Sequence, residues 1–361
     1  MAKKVQIDDD FDDLPNVQPP DGIVAFNELR SCADLYRLYA EGSLEIQPEF
    51  QREVVWLNPE KGRFIDSLTK QLPIPSMCFS LDAATEKRQV IDGLQRMASI
   101  TSFLNAEVSW RLPRVKDIDP LISGKTNHDI RDGSEKQRVL YRRVQNLSIP
   151  ITVIRCDSNR ADHAEYLFTI FSRLNSGGQR LKKQEIRNCI FSGTFNNSIK
   201  LLDANKDWEK LKKQLPGQGK RFRSIESILR FFAIIETVDN GTLEKMSGSY
   251  PIFLNDYMRR NRNLNRTKIA IQNKIFSAVV KQINRIKFQD NAPLTYAMLE
   301  STMVGIYANL EAASTQNSVI LSLQAKKLSN SYSIASQEVK SGTSSSAKIK
   351  ARIQTAIETF R

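Results

Sequence analysis

Patterns typical of strands and patterns typical of helices occupy different parts of this chain. Short apolar or β-branched runs that suit strands occur in its first half, over residues 44–46, 77–81, 89–91 and 149–154. Apolar residues recur at helical spacing over residues 25–41, 61–70, 94–105, 162–174 and 183–191, and on to about residue 311. We therefore predict an α+β fold, in which a mixed α/β domain precedes a mainly helical region.

Changes in composition divide the chain further. Residues 1–22 are rich in Asp and Pro, which is typical of a disordered acidic arm. We expect the mixed domain to occupy residues 23–195 and a basic helical domain to occupy residues 196–325. Residues 326–361 form a Ser- and Lys-rich tail that we expect to be partly disordered, although its last dozen residues could form a helix.

The net charge of +13 indicates a polyanionic partner. Basic residues are densest in the segment Arg259-Arg260-Asn261-Arg262-Asn263 and continue along the next helical pattern. We predict DNA contacts at Arg259, Arg260, Arg262, Arg266 and Lys268. The alternative is that these side chains form a solvated helix face.

Scarcity of histidine and spacing of cysteine exclude several classes of site. The chain has two histidines, His128 and His163, too few for a three-His zinc site, and neither lies in a pattern typical of a Ser-His-Asp triad or a His-metal nuclease. The four cysteines are far apart, which argues against a zinc cluster and fits a reducing compartment. The N-terminus lacks an apolar core, and no apolar run reaches membrane-spanning length, so we expect a cytoplasmic protein.

The strongest local signal for chemistry is Asp92-Gly93-Leu94-Gln95-Arg96, where a strand passes into a helix. Glycine there allows close approach of a ligand, and the free N–H groups of the first helical turn favour an anion. Arg96 could bind phosphate oxygens, and Asp92 could hold Mg²⁺ or orient a water. The alternative is that Asp92 caps the helix and pairs with Arg96.

Two further segments carry polar residues in suggestive places. Glu49-Phe50-Gln51-Arg52, followed by Trp56, could read a base or sugar edge, or could be a surface turn anchored by Trp56. Phe171 to Gly178, followed by Gln184 to Asn188, surrounds a glycine turn with Arg and Asn side chains. The alternative for that segment is helix capping with an intra-helical ion pair.

These segments, with Phe64-Ile65-Asp66-Ser67-Leu68 and Pro73-Ile74-Pro75, appear in an order that resembles a known family. The family is the N-terminal domain of GmrSD-type modification-dependent restriction systems, itself similar to the ParB/sulfiredoxin-like fold. The resemblance covers roughly residues 30–260 and rests on four ordered motifs. It implies binding, and often hydrolysis, of a nucleoside triphosphate (NTP) with Mg²⁺.

Carried over by position, the resemblance implies roles for individual residues. Asp92, Gln95 and Arg96 would be catalytic, and Asp92 would hold the metal ion. The nucleotide-binding residues would be Gln51, Arg52, Gly93, Arg173, Asn175, Gly177 and Gly178. One departure is Leu94, which stands where the family has its first Gln and argues against rapid hydrolysis more than against binding.

The leading functional hypothesis is an NTP-binding, DNA-sensing subunit of a modification-dependent restriction or anti-phage defence system. Complete family systems carry a His-metal nuclease, and no histidine follows His163, so we expect a separate subunit to cut DNA. One alternative is a ParB-like adaptor or clamp that binds DNA and nucleotide without turnover. Another is a stand-alone Mg²⁺-dependent nuclease, which no acidic cluster outside the N-terminal arm supports. A homo-oligomer is compatible with each hypothesis.

Overall fold

The computed structural model describes residues 18–46, 56–174, 182–215, 222–245, 249–288, 294–338 and 346–361. The chain divides into two compact units, which we call the N-terminal unit (residues 16–180) and the C-terminal unit (residues 181–361). Most of the predicted acidic arm lies outside the described residues. None of the helices in the described ranges is both long enough and apolar enough to cross a membrane.

The N-terminal unit is built on a five-stranded mixed sheet. Its strands are β1 (Val24–Ser31), β2 (Leu44–Glu45), β3 (Met77–Asp82), β4 (Arg88–Asp92) and β5 (Ser148–Cys156). Their order across the sheet is β1-β5-β3-β4-β2. The β1/β5 and β3/β4 pairs are antiparallel, whereas the β3/β5 and β2/β4 pairs are parallel. This sheet confirms the α+β prediction.

Six helices accompany the sheet. They are α1 (Cys32–Ala40), α2 (Asn58–Thr69), α3 (Leu94–Leu104), α4 (Asn127–Arg131), α5 (Glu135–Asn146) and α6 (Ala161–Leu174). Helices α1, α2, α3 and α5 pack on one another, and α6 packs on β4. The hydrophobic core of this unit includes Phe79, Ile100, Phe103 and Val153, all fully buried. Each such side chain contributes about 1.5–3 kcal/mol when removed from water, so this core holds α3 in place.

The sequence-based assignment of one helix to residues 25–41 was wrong in its first half. Residues 24–31 form strand β1, and the helix begins at Cys32. Ser31 caps that helix by accepting a hydrogen bond from Asp34 N–H at 3.0 Å. Pairing along the whole length of β5 overrides the local helical periodicity, because it satisfies the backbone of an edge strand.

The C-terminal unit is helical in its described parts. Its helices are α7 (Lys183–Ile190), α8 (Thr194–Asp203), α9 (Lys206–Lys212), α10 (Arg223–Asp239), α11 (Tyr250–Asn261), α12 (Arg266–Ile283), α13 (Tyr296–Ala308), α14 (Leu310–Thr315), α15 (Ser318–Glu338) and α16 (Ser346–Thr359). Helices α10 and α13 are the centre of this unit, because buried residues lie all round them.

The division between the units falls earlier than the boundary expected at residue 195. It follows Arg180, since α7 and α8 pack against α10 and α11. The segment 326–361, expected to be a partly disordered tail, contains the end of α15 and all of α16. Helix α16 packs on α13, with Ile349, Ile353 and Ala356 buried.

Candidate functional site

The candidate site lies where β4 passes into α3. Gly93 joins them with φ +94°, a left-handed conformation that glycine adopts without strain. A Cβ atom on Gly93 would lie 2.5 Å from Cγ of Met77 and 2.7 Å from its Sδ. Glycine is therefore needed here for two reasons, its backbone conformation and the close approach of β3.

The N-terminus of α3 presents backbone N–H groups ahead of its hydrogen-bonded ladder. The first intrahelical bond runs from Met97 N–H to Gly93 C=O at 2.9 Å, so the N–H groups of residues 94–96 precede it. No side chain in the described ranges caps this end of the helix. The predicted alternative, in which Asp92 is the cap, is therefore wrong. The junction has the polarity that an anion requires.

Arg96 is held in place by several acceptors. It donates to Oδ2 of Asp92 at 2.8 Å, to the carbonyl oxygen of Pro75 at 2.5 Å and to that of Ser76 at 3.4 Å. Its side chain is 14% exposed, and that of Asp92 is 40% exposed. Burial lowers the pKa of Arg96 from its usual range, although the carboxylate of Asp92 opposes this. The second half of that alternative, an ion pair between Asp92 and Arg96, is thus what the structure contains.

Asp92 offers one carboxylate to a metal ion. Among the described residues, no group of three or more His, Cys, Asp and Glu side chains could enclose a metal. Magnesium commonly uses one or two carboxylates together with phosphate oxygens and water. Asp92 therefore fits Mg²⁺ that arrives with a nucleotide, and fits poorly an ion held by the protein alone.

Gln95 connects the candidate site to the segment before α2. Its Oε1 accepts a hydrogen bond from the backbone N–H of Trp56 at 3.4 Å. The indole ring of Trp56 packs against Phe64, with ring centroids 5.6 Å apart. The predicted partners Gln51 and Arg52 lie just before Trp56 and outside the described residues.

The glycine-turn motif divides between the units. Arg173 is exposed near the end of α6, while Asn175, Gly177 and Gly178 lie outside the described residues. Arg187, from the second half of the motif, is 1% exposed in its side chain and lies in the core of the C-terminal unit. Its guanidinium group donates to Asn255 at 2.9 Å and to Glu226 at 3.3 Å.

Glu226 and its neighbours form a buried charged network. Arg230 donates to Glu226 at 2.5 Å and to Glu300 at 3.3 Å, and Arg352 donates to Glu300 at 3.0 Å. Burial alone would raise the pKa of Glu226, but Arg230 and Arg187 outweigh burial and lower it to about 2. The network links α7, α10, α13 and α16, so this half of the motif has a structural role.

The predicted DNA-contacting residues separate into two groups. Arg259 and Arg260 both donate to Asp256, at 2.7 and 2.8 Å, and Arg260 also donates to Glu236 at 2.7 Å. Arg262 donates from Nε to the carbonyl oxygen of Ser192 at 2.8 Å. The densest basic segment is therefore largely occupied by contacts within its own unit.

Arg266 and Lys268 are the other group. Both are exposed in the first turn of α12, whose cap Asn265 accepts a hydrogen bond from Lys268 N–H at 2.9 Å. Cations at a helix N-terminus oppose the helix dipole at a cost of about 0.3–1 kcal/mol each. Their position is therefore unfavourable for the helix and favourable for an external anion. Lys274 and Lys281 continue the exposed basic surface along α12.

Both histidines contact backbone groups, and the four cysteines are buried. Nδ1 of His163 accepts from Asp157 N–H at 3.0 Å, and its Nε2 lies 3.0 Å from the carbonyl oxygen of Asp21. Nε2 of His128 lies 3.3 Å from the carbonyl oxygen of Asn105. All four cysteines are buried, and burial raises the pKa of Cys32 to about 12.

Residues 33–192 match the family described as GmrSD restriction endonuclease, N-terminal domain. This match supports the predicted resemblance of the segment to the GmrSD N-terminal domain family. All four motifs of the predicted resemblance lie inside the match, which ends short of the expected residue 260. No curated protein matches the chain. The junction at Gly93 thus lies within the segment that matches this family.

Proposed function

We propose that this chain is an NTP-binding, DNA-sensing subunit of a modification-dependent restriction or anti-phage defence system. The nucleotide binds at the N-terminus of α3, with its phosphates on the N–H groups of residues 94–96. Arg96 contributes positive charge beside the phosphates, and Asp92 contributes a carboxylate ligand to Mg²⁺. A separate nuclease subunit cuts the DNA, because both histidines of this chain are engaged by backbone groups.

The observation that carries this proposal is the geometry at Gly93. Within the described residues, no side chain caps the N-terminus of α3, and Gly93 precedes it with a positive φ. Arg96, in the first turn of the helix, is held beside it by its hydrogen bond to Asp92. Each feature alone is common in proteins. Their combination inside the segment that matches the GmrSD N-terminal domain family favours phosphate over the simpler interpretation of a capped helix.

A ParB-like adaptor or clamp that binds nucleotide without turnover is the second candidate. Leu94 supports it, because this position carries no polar group that could orient a water. The ion pair between Asp92 and Arg96 supports it as well, since Oδ2 of Asp92 is already engaged by the guanidinium group of Arg96 at 2.8 Å.

Phosphate release separates these candidates. The purified chain with ATP or GTP, Mg²⁺ and either modified or unmodified DNA is expected to release phosphate, and Asp92→Asn or Arg96→Gln should abolish the release. Arg37→Gln is the matched control, because Arg37 forms an exposed i,i+4 ion pair with Glu41 at 3.2 Å. Nucleotide binding without release would select the clamp. DNA nicking by this chain alone that survives both substitutions would contradict both candidates.

For DNA binding, we expect Arg266 and Lys268 to matter more than Arg259 and Arg260. Neutralising the first pair to Gln should weaken DNA binding about tenfold at moderate salt. It should also reduce the slope of log K against log salt by about 2, since each phosphate contact contributes roughly 0.9. Neutralising the second pair should change DNA affinity less than about twofold, because its charges are compensated by Asp256 and Glu236.

Fluorescence anisotropy with a labelled duplex over a range of salt concentrations measures both quantities. A larger loss from the Arg259 and Arg260 variant than from the Arg266 and Lys268 variant would contradict this assignment.

A further inference from the structure

A cavity lined by arginine and tyrosine side chains lies in the N-terminal unit, at the opposite end of α3 from Gly93. Its volume is about 420 Å³, and it opens between α1, α5 and the ends of α3 and α4. The lining residues are Ala33, Tyr36, Leu104, Ala106, Arg131, Arg138, Tyr141, Arg142 and Gln145. Helix α3 rises about 1.5 Å per residue, so its length separates this cavity from the candidate phosphate site.

Arginine side chains set the charge of this cavity. Arg131, Arg138 and Arg142 line it, and no carboxylate is among its lining residues. The carboxylates of Asp132 and Glu135, which do not line the cavity, accept hydrogen bonds from these arginines. Arg131 donates twice to Asp132, at 2.9 and 2.7 Å, while Arg138 and Arg142 each donate to Glu135 at 2.8 Å.

Those contacts orient the arginines without neutralising all of them. Three guanidinium groups face the two carboxylates of Asp132 and Glu135, so the cavity keeps a positive charge. Each guanidinium also retains N–H groups beyond those that the carboxylates use. Such arginines suit the bidentate recognition of a phosphate group.

Two aromatic rings are among the lining residues. The ring of Tyr141 packs against Phe103, with centroids 5.3 Å apart, so its position is fixed. Burial raises the pKa of Tyr141, which keeps its phenol neutral at physiological pH. Tyr36 lies across the cavity on α1 and is half-buried. Aromatic rings beside arginines are the combination that binds a nucleobase together with its phosphate.

We propose that this cavity is a nucleotide-binding site, in which arginines contact the phosphate and Tyr36 contacts the base. Its ligand is a nucleoside monophosphate, either free or at the 5′ end of a single strand. Arg142 and Arg131 contribute the charge. The site is separate from the one at Gly93 and does not depend on it.

Direct titration of the full chain tests the proposal. The probes are dAMP, inorganic phosphate and a 5′-phosphorylated pentanucleotide, each followed by calorimetry. Arg142→Gln should weaken binding of dAMP at least about tenfold, and Tyr36→Leu should weaken dAMP but leave inorganic phosphate unchanged. Arg143→Gln is the matched control, because Arg143 is the next residue of α5, is exposed and does not line the cavity. It should change the affinity less than twofold.

The outcomes are distinct. Binding of dAMP identifies a free nucleotide as the ligand, and binding of the pentanucleotide alone identifies a strand end. The titrations are repeated in the Arg96→Gln variant, which lacks the proposed phosphate contact at Gly93, and Arg142→Gln should still weaken binding of dAMP at least about tenfold there, so failure of the Gly93 site and failure of this site can be told apart. Equal weakening by Arg142→Gln and Arg143→Gln, equal affinity for dAMP and inorganic phosphate, or no binding of any probe would overturn the proposal.

Discussion

Glu226→Gln is expected to lower the free energy of unfolding by about 3–5 kcal/mol. The carboxylate of Glu226 forms ion pairs with Arg187 at 3.3 Å and with Arg230 at 2.5 Å, and the side chain of Arg187 is almost completely buried. Glutamine keeps the shape of the side chain but removes its charge, which takes the carboxylate away from the buried guanidinium of Arg187 and leaves Arg230 with Glu300 as its acidic partner.

The effect should depend on pH in a defined direction. The pKa of Glu226 is lowered from 4.5 to about 2, so the stability gained from its ionised form is complete above about pH 4.5. That stability is lost as the pH falls towards 2. The difference between the wild type and Glu226→Gln should therefore shrink over this window.

Urea denaturation measures the change, and hydrogen exchange in α10 locates it. The control is Glu209→Gln in the same unit, since Glu209 is half-exposed and pairs with Lys212 at 2.7 Å. Its replacement should cost less than about 1 kcal/mol. Arg187→Met should lower the free energy of unfolding by less than Glu226→Gln does, because Glu226 still has its ion pair with Arg230 in that variant. Equal stability of Glu226→Gln and the wild type at neutral pH would show that the network does not stabilise this unit.

Gly93→Ala is expected to destabilise the N-terminal unit by about 2–5 kcal/mol. The positive φ of Gly93 costs a residue with a side chain about 1–2 kcal/mol, and forcing Cβ against Met77 adds about 1–3 kcal/mol. Gly42→Ala separates the two contributions, because Gly42 has φ +73° and no atom within 4 Å of an added Cβ. Gly42→Ala should therefore cost only the backbone part, about 1–2 kcal/mol.

A double-mutant cycle checks the steric part. Met77→Ala removes the atoms that the new Cβ would meet, so the combined cost of Gly93→Ala and Met77→Ala should fall below the sum of the single costs by at least about 1 kcal/mol. Thermal denaturation of the four proteins provides the values. Additive costs, or equal costs of Gly93→Ala and Gly42→Ala, would mean that β3 does not restrict this junction.

The sequence contained enough information to locate the junction but not its contacts. A glycine between a strand pattern and a helix pattern placed the site at residues 92–96, and the structure keeps those elements. The hydrogen bonds of Arg96 to Pro75 and Ser76 come from a loop twenty residues away in sequence, which no local pattern encodes. The ion pair of Arg260 with Glu236 is similarly non-local, because 24 residues separate the two in sequence.

The sequence patterns did not predict strand β1 or helix α5, and the physical reasons differ. Strand β1 carries exposed apolar residues, Leu29 at 72% and Val24 at 53% exposed, so it shows none of the alternation that marks a half-buried strand. The region of residues 107–147 was not assigned, although Ser134 and Gln137 form a capping box that begins α5. That signal would have placed Arg138, Tyr141 and Arg142 on one helix face and indicated the arginine-lined cavity.

Equilibrium binding of a non-hydrolysable NTP analogue to the full chain is the most direct test of the Gly93 site. Calorimetric titrations of wild type, Arg96→Gln and Arg37→Gln, with and without Mg²⁺, should be compared at one salt concentration. We expect Arg96→Gln to weaken binding by about 10–100-fold, or about 1.4–2.8 kcal/mol, and Arg37→Gln to match the wild type. Equal affinity of Arg96→Gln and the wild type would contradict phosphate binding at the N-terminus of α3.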